Sequence, residues 1–99
     1  MPDTPAPIFA VHYTYAEATV PGRDQHRPAH RDWLRSLVGE GVVLSSGAYP
    51  DGSGALILVT AADVGAAERL MTADPFLRNN LVENVRVVEW KPVMGVFAD

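Results

Sequence analysis

The 99-residue sequence contains no cysteine, which excludes disulfides, thiolate nucleophiles and thiolate metal sites. No basic run exceeds two residues and the net charge is -4, so we expect no nucleic-acid surface. The longest apolar runs, such as Ala55 to Val59, are far too short to span a bilayer. The phosphate-binding patterns GxGxxG and GxxxxGKS/T are both missing. Chemistry must therefore come from His, Asp, Glu, Ser, Tyr or Arg.

The composition is that of a soluble globular protein, with 47% hydrophobic and 20% charged residues. The N-terminal sequence MPDTPAP carries an acid and three prolines, so we expect a disordered leader over residues 1–6 and a single domain over residues 7–99. A signal peptide needs basic residues and an apolar stretch there, and their absence predicts a cytoplasmic protein.

Four segments rich in β-branched and aromatic residues predict strands: Ile8 to Tyr15, Val42 to Ala48, Ala55 to Thr60 and Leu81 to Trp90. The sequence YPDGSG between the second and third segments is dense in turn residues and predicts a hairpin. The C-terminal KPVMGVFAD is interpreted as a tail with room for a short edge strand.

Two helices are predicted between these strands. The first begins between Asp24 and Pro28, because aspartate is a good N-cap and proline is tolerated in a first turn, and it ends near Gly39. Asp63 caps the second helix, which ends near Ala73. A Pro-Gly turn is expected just before the first helix, at residues 21–22.

The element order β-α-β-β-α-β predicts an α+β protein with the ferredoxin-like split βαβ arrangement: an antiparallel sheet with two helices on one face. The other face of such a sheet needs a covering partner. Because apolar side chains alternate to both faces of the predicted strands, we expect a homodimer that pairs through the open face.

The segment HRPAHRDWL places two histidines four residues apart, the spacing of paired metal ligands on one helix face. Pro28 separates them, and no second motif supplies a further ligand, so we expect no metal site and a solvated His26. His30 continues the apolar stripe that includes Leu34 and Leu37. It is either a core-edge histidine bonded to a carbonyl or a general acid or base near the start of the helix.

Asp74 precedes Pro75-Phe76, just after the second helix. Asp-Pro commonly starts a turn in which the aspartate caps the following backbone. Such a residue is also suited to orient an imidazole and stabilise its charged form. Sequence spacing leaves open whether Asp74 reaches His30, although adjacent helices of this fold allow the contact.

Three further positions are candidate substrate-binding residues. His12 faces opposite to Phe9 and Val11, and either packs against the helices or lines a cavity beneath them. Arg27 is either a solvated helix-start residue or a bidentate carboxylate ligand. The second strand ends in Ser46 and Gly47, and because no GxSxG elbow is present, we expect the serine to be a polar lining residue.

The order of these motifs resembles the YciI-like, or YCII-related, family. Arg27-x-x-His30 precedes an apolar helix, and G-V-V-L-S-S-G, G-A-L-I-L-V and A-D-P-F follow, so the resemblance covers about residues 8–92. It implies a ferredoxin-like protomer in a dimeric α+β barrel. It also implies a site built on His30 and Asp74, with the serine-glycine pair at Ser46-Gly47. The chain departs from the family at Arg31, where leucine is usual; this position is expected to face away from the buried stripe.

The resemblance adds functional expectations. The family includes a dehydrochlorinase that acts on a chlorinated hydroxylated aromatic, and the wider superfamily includes muconolactone isomerases and metal-free monooxygenases. We therefore expect a cofactor-independent lyase or isomerase that uses a His30–Asp74 pair on a small anionic or phenolic substrate. The alternatives are a non-catalytic dimeric binding or assembly module and a cofactor-free monooxygenase.

Overall fold

A computed structural model describes residues 6–98 of the chain. The predicted leader over residues 1–6 lies almost wholly outside these residues. Within the described residues the chain forms four strands and three helices, with a 3-10 turn at Glu17–Thr19 before the first helix. In chain order the elements are β1 (Ile8–Thr14), α1 (Val20–Gly39), β2 (Val43–Ala48), β3 (Gly54–Thr60), α2 (Val64–Met71), α3 (Pro75–Arg78) and β4 (Asn84–Trp90).

The strands form one antiparallel sheet in the order β2-β3-β1-β4. β3 lies between β1 and β2, which are joined by the α1 crossover. This is the split βαβ arrangement that the sequence predicts, and the α+β ferredoxin-like fold is confirmed.

The core lies between one face of the sheet and the helices. Alternation along β1 directs Phe9, Val11 and Tyr13 to this face, where each is at most 1% exposed. The buried side chains that share this core come from four other strands or helices and include Leu34 of α1 and Met71 of α2. The even-numbered residues of β1 therefore face away from the helices, on the open face of the sheet.

The start of α1 differs from the prediction. The helix begins at Val20 and continues through Pro28, which lies in its interior, so Asp24 is not the N-cap. Pro21 occupies the first turn, where its fixed φ suits a helix and its missing N–H costs nothing. The Pro-Gly pair predicts a turn, but the glycine serves another purpose: a Cβ on Gly22 would collide with the Leu81 side chain, so α1 packs closely there.

Two smaller predictions also change. The predicted connection between Asp74 and the fourth strand contains an extra helical turn, α3, and β4 begins at Asn84 rather than at Leu81. The C-terminal segment adds no edge strand within residues 91–98. Across the described part of the chain, the helices lack the combination of length and apolar composition that a membrane crossing requires.

Candidate active site

Asp74 lies at the junction of α2 and α3 and is completely buried. Its Oδ1 accepts the backbone N–H of Phe76 at 2.9 Å, which makes it the N-cap of α3. The same oxygen lies 2.7 Å from Nδ1 of His30, and Oδ2 accepts the hydroxyl of Tyr13 at 2.7 Å. The two roles considered for Asp74, capping and contact with His30, therefore coexist in one carboxylate that accepts three hydrogen bonds.

His30 projects from the middle of α1 and is 10% exposed at its side chain. Its ring stacks face to face on Phe76, with centroids 3.8 Å apart and planes 3° from parallel. Because the carboxylate of Asp74 accepts, Nδ1 must donate, and this assigns the proton of a neutral ring to Nδ1. Within residues 6–98 no fully buried side-chain nitrogen or oxygen lacks a partner, so Nε2, which has no hydrogen bond there, is not fully buried.

Tyr13 holds the other oxygen of Asp74 from beneath. It is 1% exposed, and its hydroxyl donates to Oδ2. Burial, with the negative charge of Asp74 as the second cause, raises the pKa of the Tyr13 phenol far above its ordinary value of 10.0. The phenol therefore stays protonated and keeps donating to Asp74 across the physiological pH range.

A buried arginine supports the neighbouring Tyr15. The Arg23 guanidinium lies 4.2 Å from the centroid of the Tyr15 ring, a cation–π contact. It also donates to the carbonyls of Ala16 at 3.2 Å and Leu81 at 3.3 Å, and to the Thr19 hydroxyl. Arg23 is only 4% exposed, and these hydrogen bonds compensate for the burial of its charged guanidinium group. Burial, followed by the charge of Asp74, raises the pKa of the Tyr15 phenol.

A pocket of about 330 Å³ opens beside His30. Its wall combines aromatic and aliphatic side chains with three arginines, and no carboxylate of residues 6–98 lines it. The lining residues are Tyr15, Arg27, His30, Arg31, Leu34, Arg35, Ser46, Gly47, Ala48, Ala55 and Phe76. A volume near the lower end of the range for ligand sites suits a small organic molecule.

The second strand reaches this pocket because of an irregularity. A β-bulge between Val43 and Ser45 places one extra residue in β2. The alternation of side chains shifts by one, so Ser46 pairs with the core residue Ile57 and shares its face. In an unbroken strand Ser45 would take that face. Ser46 and Gly47 thus lie where the sequence places them, at the pocket.

The structure places the other predicted residues as follows. Arg27 lines the pocket and also pairs with Asp24 at 2.6 Å. His12 lies on the open face of the sheet, with Nδ1 3.3 Å from the Tyr49 hydroxyl, so the expectation that it lies beneath the helices is wrong. His12 does not line the pocket beside His30, so nothing there supports the prediction that it binds substrate.

His26 lies in the same continuous helix as His30, one turn earlier. Within residues 6–98 no three potential metal ligands converge.

Four contributors were not predicted: Tyr13, Tyr15, Arg31 and Phe76. A role for Tyr13 could have been predicted, because a tyrosine on the buried face of a strand needs a partner for its hydroxyl. Arg31 was expected to face away from the stripe; it is exposed but borders the pocket. The stacking of Phe76 on His30 depends on α3, and the available signal for that helical turn was Asp74-Pro75, an N-cap residue followed by proline in the first turn.

The profile of the YCII-related domain matches residues 8–91, most of the chain. The chain belongs to the YCII-related family. No curated protein matches this family member in sequence.

Several solved structures resemble this YCII-related protein. One is the 5-chloro-2-hydroxyhydroquinone dehydrochlorinase TftG from Burkholderia phenoliruptrix AC1100, in complex with 2,5-dihydroxybenzoquinone. It is 19% identical, with a TM-score of 0.75 over 93% of this chain and 99% of TftG.

Two further structures are more distant. A protein from Bacteroides thetaiotaomicron VPI-5482, provisionally named an antibiotic biosynthesis monooxygenase, is 15% identical, with a TM-score of 0.59 over 91% of each chain. PA3566 from Pseudomonas aeruginosa is 19% identical, with a TM-score of 0.51 over 92% of this chain and 97% of its own. At these identities the likeness shows a common fold.

Proposed function

We propose that this protein is a small cofactor-independent enzyme of the lyase or isomerase type that acts on a small phenolic or anionic substrate. One observation carries the proposal: Nδ1 of His30 lies 2.7 Å from the buried carboxylate of Asp74, while Nε2 is open beside the pocket. A histidine held in this way has one nitrogen committed to orientation and the other available for proton transfer.

His30 acts as the general base and acid. Nε2 takes a proton from an O–H or C–H group of the bound substrate, and the resulting imidazolium is stabilised by Asp74. Tyr13 and the Phe76 backbone keep the carboxylate in place during the transfer. Such proton transfer contributes about 10²–10⁴-fold to the rate, and positioning in the pocket supplies the rest.

An elimination is a reaction class that this geometry would suit. Loss of HCl from a chlorinated hydroxyphenol transfers a proton to a base and releases chloride, and it requires no oxidant. TftG, which shares the fold, is named for an elimination of this kind. The fold likeness makes 5-chloro-2-hydroxyhydroquinone a suitable first probe, because the pocket beside His30 has room for one ring.

The experiment measures chloride release from 5-chloro-2-hydroxyhydroquinone by the wild type, by His30→Gln and by Asp74→Asn, with and without oxygen and with a chelator present. We expect turnover that needs neither oxygen nor metal and that falls about 10²–10⁴-fold in His30→Gln. Turnover that persists in His30→Gln would contradict the role of His30. Consumption of one oxygen molecule per turnover would instead identify the monooxygenase alternative.

The second candidate function is a non-catalytic binding or assembly module. The complete burial of Asp74 favours it, because a buried hydrogen bond between His30 and Asp74 also stabilises the fold. If the pair is purely structural, His30→Gln should lower the free energy of unfolding by about 1–3 kcal/mol, and no probe should be turned over. If the pair is catalytic, the wild type should turn the probe over, and His30→Gln should lose that turnover while it remains folded.

A further inference from the structure

Three arginines follow one another along α1 at intervals of four residues and border the pocket: Arg27, Arg31 and Arg35. The chain has only 8 Lys and Arg residues against 12 Asp and Glu, so this group is not a consequence of composition. Within residues 6–98 no carboxylate lines the same pocket. The pocket wall therefore carries cationic side chains in a protein whose net charge is negative.

The three arginines differ in their partners. Arg27 pairs with Asp24 at 2.6 Å, and Arg35 pairs with Asp32 at 2.8 Å. Arg31 forms no ion pair and no side-chain hydrogen bond with any residue in the range 6–98. It is exposed at the pocket, one residue along the helix from His30. Of the three guanidinium groups, that of Arg31 is therefore the one available to a ligand.

The rest of the pocket limits the size and polarity of that ligand. Leu34, Ala55 and the Phe76 ring form an apolar part of the wall. A cavity of about 150 Å³ is enough for benzene. The volume of about 330 Å³ therefore has room for one ring and a small charged substituent.

We propose that Arg31 binds a carboxylate on the substrate, and that the substrate is a monocyclic carboxylic acid bearing a phenolic or similarly acidic group. The ring lies against the apolar wall, the carboxylate reaches the guanidinium of Arg31, and the acidic group faces Nε2 of His30. This inference rests on the proposed function of His30 and names the substrate class of that site. A planar guanidinium holds a carboxylate through two parallel hydrogen bonds, which an ammonium group does not reproduce.

A matched pair of ligands tests the inference by calorimetric titration. 4-Hydroxybenzoate and 4-hydroxybenzamide share the ring and the phenol, and only the first carries a negative charge. We expect the wild type to bind the carboxylate about 10–100-fold more tightly than the amide, as a charged hydrogen bond of this strength implies. Arg31→Leu should remove this preference, and Arg31→Lys should retain part of it.

Arg69→Leu is the control, because Arg69 is exposed on α2 and does not line the pocket. It removes the same charge and should leave both affinities unchanged. An equal loss in Arg69→Leu would show that net charge, not Arg31, determines binding. The inference is also overturned if Arg31→Leu binds the carboxylate like the wild type, if the wild type prefers the amide, or if the carboxylate does not bind at millimolar concentration.

The outcomes separate this inference from the proposed function. Carboxylate binding that depends on Arg31, without any turnover that depends on His30, would support the binding inference and contradict the enzyme. The opposite outcome is turnover that depends on His30 but is equal in the wild type and Arg31→Leu, for substrates with and without a carboxylate. It would support the enzyme and contradict the binding inference.

Discussion

A single residue, Asp74, connects the local structure of this protein to its candidate chemistry. The carboxylate caps the N-terminus of α3, and from the same position it orients the His30 ring. The cap also fixes Phe76, on which that ring stacks. Tyr13 completes the arrangement through the second oxygen. The side chains of Tyr13, Asp74 and Phe76 thus hold the His30 ring, and with it Nε2, at one place in the pocket.

Removing the hydroxyl of Tyr13 should destabilise the protein. In Tyr13→Phe the ring still fills its site in the core, but Oδ2 of Asp74 loses its donor in a fully buried environment. We expect the free energy of unfolding to fall by about 1–3 kcal/mol. Urea titration followed by circular dichroism measures the change. Tyr49→Phe is the control, because Tyr49 is exposed, and equal stability of the two variants would contradict the prediction.

The same phenol predicts a loss of stability at alkaline pH. The pKa of Tyr13 is raised in the folded protein, chiefly by burial, so above its ordinary value of 10.0 the unfolded chain binds fewer protons than the folded chain. The stabilisation is therefore complete below about pH 10 and declines as pH rises beyond it. In melting curves between pH 8 and 11, the wild type should lose stability more steeply than Tyr13→Phe. Parallel curves would contradict the assignment.

At the scale of elements, α1 carries most of the candidate site. Because the helix runs unbroken from Val20, His30 lies in its middle, and the charge at the helix N-terminus does not act on the ring. The same continuity aligns Arg27, Arg31 and Arg35 along one side of the pocket. A helix that began at Pro28 would have left Arg27 outside the regular spacing.

Replacing the proline inside α1 should stabilise the helix. Pro28 lacks the N–H that would bond the Asp24 carbonyl, and an interior proline costs about 3 kcal/mol relative to alanine. Part of this gain is offset by the greater freedom of alanine in the unfolded chain. We expect Pro28→Ala to raise the free energy of unfolding by about 1–3 kcal/mol. Pro21→Ala, in the first turn, should change it little, and a lower stability of Pro28→Ala would contradict the prediction.

At the scale of the whole molecule, one face of the sheet has no helices over it within residues 6–98. Apolar side chains from β1, β3 and β4 lie there, among them the partly exposed Leu56 and Val88, and Trp90 at its margin is 39% exposed. Beyond it the C-terminal segment exposes four further apolar residues, with Val96 at 92%. A surface of this kind in a chain of 99 residues is typical of an association site.

We predict that the protein is a homodimer through this open face. Light scattering after size-exclusion chromatography should give roughly twice the chain mass of 10.7 kDa. Val88→Lys places a charge on the open face and should shift the mass to that of the monomer. Glu68→Lys, a change at an exposed position on α2, should leave the dimer intact. A monomeric wild type at micromolar concentration would contradict the prediction.

Local patterns were sufficient to predict the strands, their order and the antiparallel sheet, because alternation along a strand and helical spacing are properties of neighbouring residues. They also led to His30 and Asp74 as candidates. They failed where a residue type has two uses: Pro21-Gly22 predicted a turn, but it begins a helix that packs closely on Leu81. The bulge that turns Ser46 toward the pocket likewise depends on the pairing of β2 with β3 and has no signature in β2 alone.

The sequence by itself therefore determined the fold class and the exclusion of thiol chemistry, and it led to His30 and Asp74 only as candidates. Only the tertiary structure decided that the 44 residues between His30 and Asp74 close to a 2.7 Å contact, and that Nε2 opens to a pocket rather than to packed core. It also decided that His12 lies on the far side of the sheet and that Arg31 borders the pocket. The physical reason is that contacts across a sheet or between helices depend on register and packing, which sequence spacing does not specify.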